Sequence, residues 1–175
     1  MGVEVQGKMK LSKILFESSV VDSFWYHTTS PENVESIMAN GLKINSAKGK
    51  SRGSLDWMKE AYGGVIPIFL SKDSGRYKNG IVLKVDVSGL SMVADIPGLI
   101  DFGGLLTDDG NGMWFEEEST PEEFWDIVDP RSGEIDFTEL RTTGSSASEA
   151  AIKVTGTCAV MEDISPDRIK VVGKV

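Results

Sequence analysis

Residues Ser23 to Ser30 form a short run of aromatic side chains that ends in hydroxyl residues, in the order Ser-Phe-Trp-Tyr-His-Thr-Thr-Ser. A period of two residues predicts a β-strand that places Trp25 and His27 on the same face. His27 is the only histidine in the chain. A histidine near the end of a strand, just ahead of a helix, can be held against a polar ligand, so His27 is the first candidate for a functional residue.

A helix is predicted directly after this strand. Ser30 is in position to cap the helix, and Pro31 suits its first turn. Its apolar residues are spaced three and four apart, as on one face of a helix, and they are Val34, Ile37 and Met38. Asn40-Gly41 ends the helix, because glycine readily adopts the left-handed conformation of a C-terminal cap.

The rest of the chain has many short apolar runs and few helical patterns. The predicted strands are Val65 to Leu70, Gly80 to Val87, Glu149 to Val154, Thr157 to Met161 and Arg168 to Val172. The predicted helices are Lys10 to Glu17, Leu55 to Tyr62 and Thr120 to Ile127, with a helical turn from Ser71 to Tyr77. These elements predict an α+β fold with a mixed, mostly antiparallel sheet at its core and short helices around it.

The length of 175 residues fits one domain. We expect an N-terminal segment with a short helix at residues 1–22 and a folded domain at residues 23–175. Residues 91–139 are acidic and rich in turn signals, so they are predicted to be an insertion rather than a separate domain. Asp108 to Gly112 lacks the ligand spacing of an EF-hand and is interpreted as a turn, so no metal site is predicted.

Composition argues against several classes of protein. Hydrophobic residues make up 40% of the chain, which is enough for a core, but no run of 18 apolar residues predicts a membrane span. The first ten residues lack the pattern of a signal peptide, so a cytoplasmic protein is expected. Cys158 is the only cysteine, which excludes an intrachain disulfide, and we expect no disulfide-linked partner.

Acidic residues outnumber basic residues by 27 to 18, and the net charge of −9 opposes broad binding to a nucleic-acid backbone. Five basic residues nevertheless lie between Lys43 and Lys59, with one acidic residue, Asp56. This basic segment suits a phosphate-bearing small molecule, and a solvated loop explains it equally well.

Three segments occur in an order that resembles the ADP-ribosyltransferase superfamily. They are Tyr26-His27-Thr28-Thr29 with the helix ending in Asn40-Gly41-Leu42, Ile68-Phe69-Leu70-Ser71 with Tyr77, and the loop Arg141 to Ser148 followed by Glu149. Ile164 to Ile169 is similar to the entry to the last strand of that family. The order is that of the histidine–tyrosine–glutamate branch, which includes diphtheria-toxin-like and poly-ADP-ribose-polymerase-like enzymes. The resemblance covers most of Phe24 to Val172 and leaves the acidic middle unmatched.

The resemblance implies a split β-sheet that binds NAD as a substrate and transfers ADP-ribose to a protein or nucleic acid, with release of nicotinamide. Catalysis is assigned by resemblance to Glu149 and His27. Glu149 would stabilise the oxocarbenium character of the ribose in the transition state, and His27 would hydrogen-bond the adenosine ribose. The implied NAD-binding residues are His27, Thr28, Thr29, Phe69, Ser71 and Tyr77, and the implied acceptor loop contains Arg141, Thr142, Thr143, Ser146 and Ser148.

Two aromatic residues would form the walls of the implied pocket. Phe69 and Tyr77 would stack on nicotinamide, while the backbone of Thr28 would bind its amide. Phe69 departs from the family, which often has tyrosine at this position. Phenylalanine can still stack on nicotinamide, but it lacks the hydroxyl group of tyrosine.

Other interpretations stay open. An RNA 2′-phosphotransferase shares the implied fold but needs several arginines on phosphate, and Arg52, Arg76 and Arg141 are scattered along the sequence. A non-catalytic binding or structural protein on the same fold is a further alternative. A toxin, effector or phage protein of this kind would act in the cytoplasm of a host. A single histidine in a strand is often structural, and most glutamates are solvated at the surface, so His27 and Glu149 have structural explanations as well.

Overall fold

The computed structural model of the chain describes residues 23–46, 55–76, 78–103, 106–108, 112–114 and 137–175. Several predicted features lie outside the described residues. They are the helices Lys10 to Glu17 and Thr120 to Ile127, the centre of the predicted turn at Asp108 to Gly112, Arg52 and Tyr77.

The described residues form an α+β structure, as predicted. The strands are β1 (Phe24–Thr29), β2 (Ile68–Ser71), β3 (Ile81–Asp86), β4 (Met92–Ala94), β5 (Leu106–Asp108), β6 (Gly112–Trp114), β7 (Thr157–Val160) and β8 (Ile169–Lys174). The helices are α1 (Val34–Asn40), α2 (Leu55–Ala61), α3 (Ile96–Gly103), α4 (Phe137–Leu140) and α5 (Ser146–Thr155). Short 3₁₀ helices at Pro31–Asn33 and Pro166–Arg168 precede α1 and β8.

Six strands make one antiparallel sheet in the order β4-β7-β2-β1-β3-β8, and β5 pairs with β6 separately. The sheet has two halves. β1 pairs with β3 along its whole length, and β2 pairs with β7 along its whole length. The halves meet between β1 and β2, where the register contains the single pair Tyr26–Ser71. The sheet is therefore weakly joined at its centre, next to His27.

Both faces of the sheet carry a hydrophobic cluster. The first cluster contains Trp25, Leu70, Leu83, Val85, Cys158 and Val160 from the sheet, with Leu42 and Ile164 packed over them. The second cluster contains Val93 and Ala159 from the sheet and side chains from α2, α3, α4 and α5, including Met58, Leu99, Leu140 and Ala151. Burial of each such large side chain stabilises the fold by roughly 1.5–3 kcal/mol, so the two clusters account for the layered arrangement.

The turn after α1 requires glycine. Gly41 has a φ of 81°, and a β-carbon at this position would collide with the carbonyl oxygen of Ile164. Leu42 then forms an antiparallel bridge with Ile164, which ties α1 to the chain ahead of β8. The predicted end of the helix at Asn40-Gly41 is confirmed, whereas the Ser30 side chain makes no capping hydrogen bond.

One predicted strand is wrong. Residues 149–154 lie within α5, not in a strand. Ser145 caps this helix by accepting a hydrogen bond from the backbone amide of Ser148 at 3.1 Å, and Gly156 ends it with a φ of 64°. The strand prediction followed the alternation at Ile152 and Val154, but the alanines before them favour a helix and Ala151 is buried in the second cluster.

The first part of the predicted insertion belongs to the core. Met92–Ala94 form the edge strand of the main sheet, and Ile96, Leu99 and Ile100 of α3 are buried. The predicted strand at Val65 to Leu70 is shorter, because β2 begins at Ile68, after Pro67, which has no amide to donate to a ladder. The predicted helical turn after Ser71 is a pair of turns around Asp73, which accepts from the Gly75 amide at 2.8 Å.

Candidate functional site

His27 lies at the junction of the two halves of the sheet. Its Nδ1 atom is 3.0 Å from the carbonyl oxygen of Phe69 on β2, in place of a further backbone pair between β1 and β2. A carbonyl oxygen can only accept a hydrogen bond. Nδ1 therefore carries the ring proton and donates a hydrogen bond to the carbonyl oxygen of Phe69. This bond fixes the ring in the opening between the two strands.

The environment of His27 keeps its imidazole neutral. Burial lowers the pKa of His27 below its ordinary value of 6.5, and the hydrogen bond to Phe69 partly opposes this lowering. With Nδ1 protonated and the ring uncharged, Nε2 has a free lone pair and acts as a hydrogen-bond acceptor. The side chain is therefore suited to accept a hydrogen bond from a hydroxyl group of a ligand.

The ring of Tyr62 packs against the ring of Phe69. The two rings meet edge to face with centroids 6.0 Å apart. The Tyr62 hydroxyl donates to the carbonyl oxygen of Ala94 at 2.9 Å and accepts from the amide of Ile96 at 2.8 Å. Burial, followed by the charge of Asp95, raises the pKa of Tyr62 well above its ordinary value, so the hydroxyl stays protonated and keeps both bonds.

The other residues that the resemblance implies for NAD binding differ in how exposed they are. Thr28 and Thr29 lie on β1 and are partly exposed. Ser71 is buried, and its hydroxyl accepts from the amide of Asp73 at 3.0 Å, which is a structural contact in the turn after β2. Tyr77 is outside the described residues.

A line of polar residues crosses the sheet on the face opposite Trp25. Tyr26 stands opposite Ser71, and Ser71 stands opposite Thr157, the first residue of β7. Asp95 directly follows β4, and a β-carbon on Gly98 would collide with Asp95 Oδ2 and crowd Thr157 Oγ1. Thr157 Oγ1 is buried without a hydrogen-bond partner in the part of the chain that the structure describes.

Glu149 occupies the first turn of α5 and is exposed. The resemblance implies a glutamate at the start of a strand, but the strand that follows the loop begins at Thr157. A carboxylate in the first turn of a helix interacts favourably with the helix dipole, which is sufficient to explain Glu149 structurally. The strand location expected for this residue is therefore wrong, while its role in catalysis stays a prediction.

The α5 helix lies toward the β4 side of the sheet. The Ser148 hydroxyl accepts from the amide of Ala94 in β4 at 2.9 Å, and the Ser148 side chain is fully buried. Two strands, β7 and β2, separate β4 from β1, which corresponds to roughly 14 Å at the usual strand spacing. Glu149 and His27 are consequently not in one compact cluster, and a single ligand reaching both would have to be long.

Residues of the implied acceptor loop largely stabilise the local fold. The Arg141 guanidinium donates to the carbonyl oxygens of Glu60 and Ala61, each at 3.2 Å, and so caps the C-terminus of α2. The Thr142 hydroxyl donates to the carbonyl oxygen of Thr138 at 2.6 Å. Thr143 and Ser146 are exposed, and Ser148 is too deeply buried to touch a macromolecular acceptor.

Sequence reasoning missed Tyr62, Asp95 and Thr157. Asp95 is buried and accepts from the amide of Gly98 at 2.9 Å, capping α3. The order Asp95-Ile96-Pro97 is a recognisable helix start, so that role was available from the sequence. Tyr62 and Thr157 carry no such signal, because their importance depends on contacts between distant segments.

Two further observations bear on the chemistry of the site. Burial raises the pKa of the Cys158 thiol far above its ordinary value, so Cys158 is not a nucleophile in the folded protein. Among the described residues, no group of three or more histidine, cysteine, aspartate or glutamate side chains is arranged to hold a metal ion.

No protein-family model matches the chain, and comparisons with curated proteins and with solved structures gave no match. The described helices include none that is long and apolar enough to cross a membrane. We therefore infer function from the geometry of the site and from the resemblance seen in the sequence.

Proposed function

We propose that the protein is a mono-ADP-ribosyltransferase that uses NAD as its substrate. The observation that carries this proposal is the neutral His27 at the junction of the two half-sheets, with Nδ1 bonded to Phe69 and Nε2 left as an acceptor. The antiparallel sheet, weakly joined between β1 and β2, supports the implied split-sheet fold of that superfamily.

In this proposal, NAD lies across the opening between β1 and β2. His27 Nε2 accepts a hydrogen bond from a ribose hydroxyl on the Trp25 side of the sheet, while the partly buried ring of Phe69, on the opposite side, offers an apolar surface for nicotinamide to a ligand that passes through this opening. Tyr62 supports Phe69 from the opposite side, so the stacking surface does not shift when nicotinamide leaves. The backbone of Thr28 binds the nicotinamide amide, as the resemblance implies.

The reaction breaks the bond between ribose C1′ and the nicotinamide nitrogen, whose electron pair leaves with nicotinamide. The ribose gains positive charge, and an acceptor nucleophile forms the new bond at C1′ and loses its proton. A carboxylate near the ribose stabilises this charge more in the transition state than in the ground state. Glu149 is the proposed carboxylate, reaching the ribose from the first turn of α5 while His27 holds the other end of the dinucleotide.

A second candidate is a protein that binds NAD without transferring ADP-ribose. Two observations favour this candidate. Glu149 lies on an exposed helix, and Thr157 occupies the start of β7, the strand position at which the resemblance implies a glutamate. The RNA 2′-phosphotransferase alternative has less support, because Arg141 and Arg76 both donate to backbone carbonyl oxygens.

Calorimetric titration with NAD and incubation with labelled NAD and separate protein, DNA and RNA pools test both candidates. Glu149→Gln should keep NAD affinity and lower transfer by about 100-fold or more, because it removes charge without changing shape. Glu35→Gln on α1 is the matched control, since Glu35 is an exposed glutamate in the first turn of another helix.

The outcomes separate the candidates. Absence of NAD binding in the unaltered protein would overturn both. Binding without transfer would favour the second candidate. Full transfer by Glu149→Gln would leave the activity standing and remove Glu149 from the mechanism.

A further inference from the structure

One face of the half-sheet formed by β1, β3 and β8 combines aromatic and basic side chains. Alternation and register place Phe24, Tyr26, Lys84 and Lys170 on this face, which we name the Phe24 face. Tyr26 stands opposite Lys84, and Lys84 stands opposite Lys170 on the outermost strand. The opposite face of the same strands carries Trp25, Leu83 and Val85 of the first hydrophobic cluster.

The aromatic rings of the Phe24 face are accessible. Phe24 is 45% exposed, which is unusual for a large apolar side chain in a strand, and Tyr26 is partly exposed. The Nζ atom of Lys84 lies 4.1 Å from the centroid of the Phe24 ring. A cation on one side of an aromatic ring leaves its other side open to stack on a planar group.

The Phe24 face is locally basic on an acidic protein. Lys84 and Lys170 are directly opposite each other, an arrangement that is unfavourable unless an anion lies near both. The ion pair between Lys43 and Asp163 involves neither of them. Asp86 pairs with Phe24 and lies on the same face, two residues from Lys84; it is the acidic residue of β1, β3 and β8, and its carboxylate accepts from the amide of Ser88 at 2.9 Å.

We propose that the Phe24 face binds single-stranded nucleic acid. Exposed aromatic rings stack on bases and lysines bind phosphates, and this combination on a β-sheet is how many proteins hold single strands. Phe24 and Tyr26 are two residues apart along β1, or about 7 Å, which is twice the roughly 3.4 Å between stacked bases in a duplex strand. Each ring therefore holds a separate, unstacked base, and a duplex does not fit this pattern.

The position of the Phe24 face also identifies an acceptor. Tyr26 borders both halves of the sheet, because it pairs with Lys84 on one side and with Ser71 on the other. The His27 side chain leaves the opposite face of β1, on the side of Trp25, so a strand bound on the Phe24 face reaches the opening that His27 occupies only where β1 and β2 part beside Tyr26. Nucleic acid is accordingly the acceptor of ADP-ribose, an assignment that rests on the proposed function, whereas the binding itself does not.

Fluorescence anisotropy with labelled oligo-dT and oligo-U of about 12 nucleotides tests the binding at low salt without NAD. The unaltered protein should bind one or both. Phe24→Ala should weaken binding about ten-fold because it removes a stacking ring, and Phe24→Tyr should restore it. The double variant Lys84→Ala/Lys170→Ala should lower the magnitude of the slope of log K against log salt by about 1.4, or about 0.7 for each phosphate that a lysine no longer neutralises.

Lys43→Ala is the matched control, since Lys43 follows Leu42 on the opposite side of the sheet and is half exposed. It should leave affinity and salt slope unchanged. No binding by the unaltered protein, or an equal loss in Lys43→Ala, would overturn the proposal. If the oligonucleotide is bound but labelled NAD modifies only the protein pool, the acceptor assignment is wrong, whereas the proposed binding of nucleic acid by the Phe24 face is kept. If no pool is labelled, the proposed function is wrong, and this outcome does not affect the binding result.

Discussion

Replacing Ser148 by alanine distinguishes a structural from a functional residue in the implied acceptor loop. The Ser148 hydroxyl is fully buried and accepts from the amide of Ala94 at 2.9 Å, which joins α5 to the edge strand β4. Ser148→Ala leaves that amide buried without its acceptor. We therefore expect a loss of stability rather than a selective loss of acceptor modification.

The size of the loss follows from two opposing effects. A buried amide that loses its hydrogen-bond partner costs about 1–3 kcal/mol. Alanine is a better helix former than serine by about 0.5 kcal/mol, which offsets part of that cost. Ser146→Ala measures the helix contribution alone, because Ser146 is an exposed serine in the first turn of the same helix. Relative to Ser146→Ala, the free energy of unfolding of Ser148→Ala should be lower by about 1–3 kcal/mol.

Urea unfolding and calorimetry on the two variants provide the measurement. For a chain of this length, 1 kcal/mol shifts the melting temperature by about 2–4 °C, so Ser148→Ala should melt about 2–12 °C below Ser146→Ala. Equal stability of the two variants, together with weaker labelling of the acceptor by Ser148→Ala, would refute the structural role and return Ser148 to the acceptor loop.

Three buried groups give further predictions. Because burial lowers the pKa of His27 below its unfolded value of 6.5, stability should be insensitive to this group above pH 6.5 and should fall as pH drops below it. Urea unfolding across that range should show a weaker pH dependence in His27→Gln, and equal slopes would contradict the burial of the imidazole. Thr157→Val should raise the free energy of unfolding by about 1 kcal/mol, since it removes an unpartnered buried hydroxyl at nearly constant volume; a loss of stability would mean that this hydroxyl makes a bond. Cys158 should resist a thiol reagent at mildly alkaline pH in the folded protein and react after denaturation, and rapid reaction of the native protein would show that the strand β7 opens.

Local patterns in the sequence were sufficient for much of the sheet. The alternation around His27 predicted β1, and the apolar run around Val82 and Leu83 predicted β3, because strands that pack on a core select side chains of the right polarity at each position. The same reasoning failed at residues 149–154. There Ile152 and Val154 alternate with polar residues as in a strand, but the Ser145 cap and the burial of Ala151 make a helix more stable.

The sequence by itself determined that His27 lies on a strand ahead of a helix ending in Gly41. Only the tertiary structure decided what His27 can do, because its hydrogen-bond partner, Phe69, is 42 residues away in the chain and comes beside it through the pairing of β1 and β2. That contact sets the tautomer, and the burial that accompanies it keeps the ring neutral. Local propensity acts over a few residues, whereas the protonation of a side chain depends on solvent exclusion and on partners brought together by the fold.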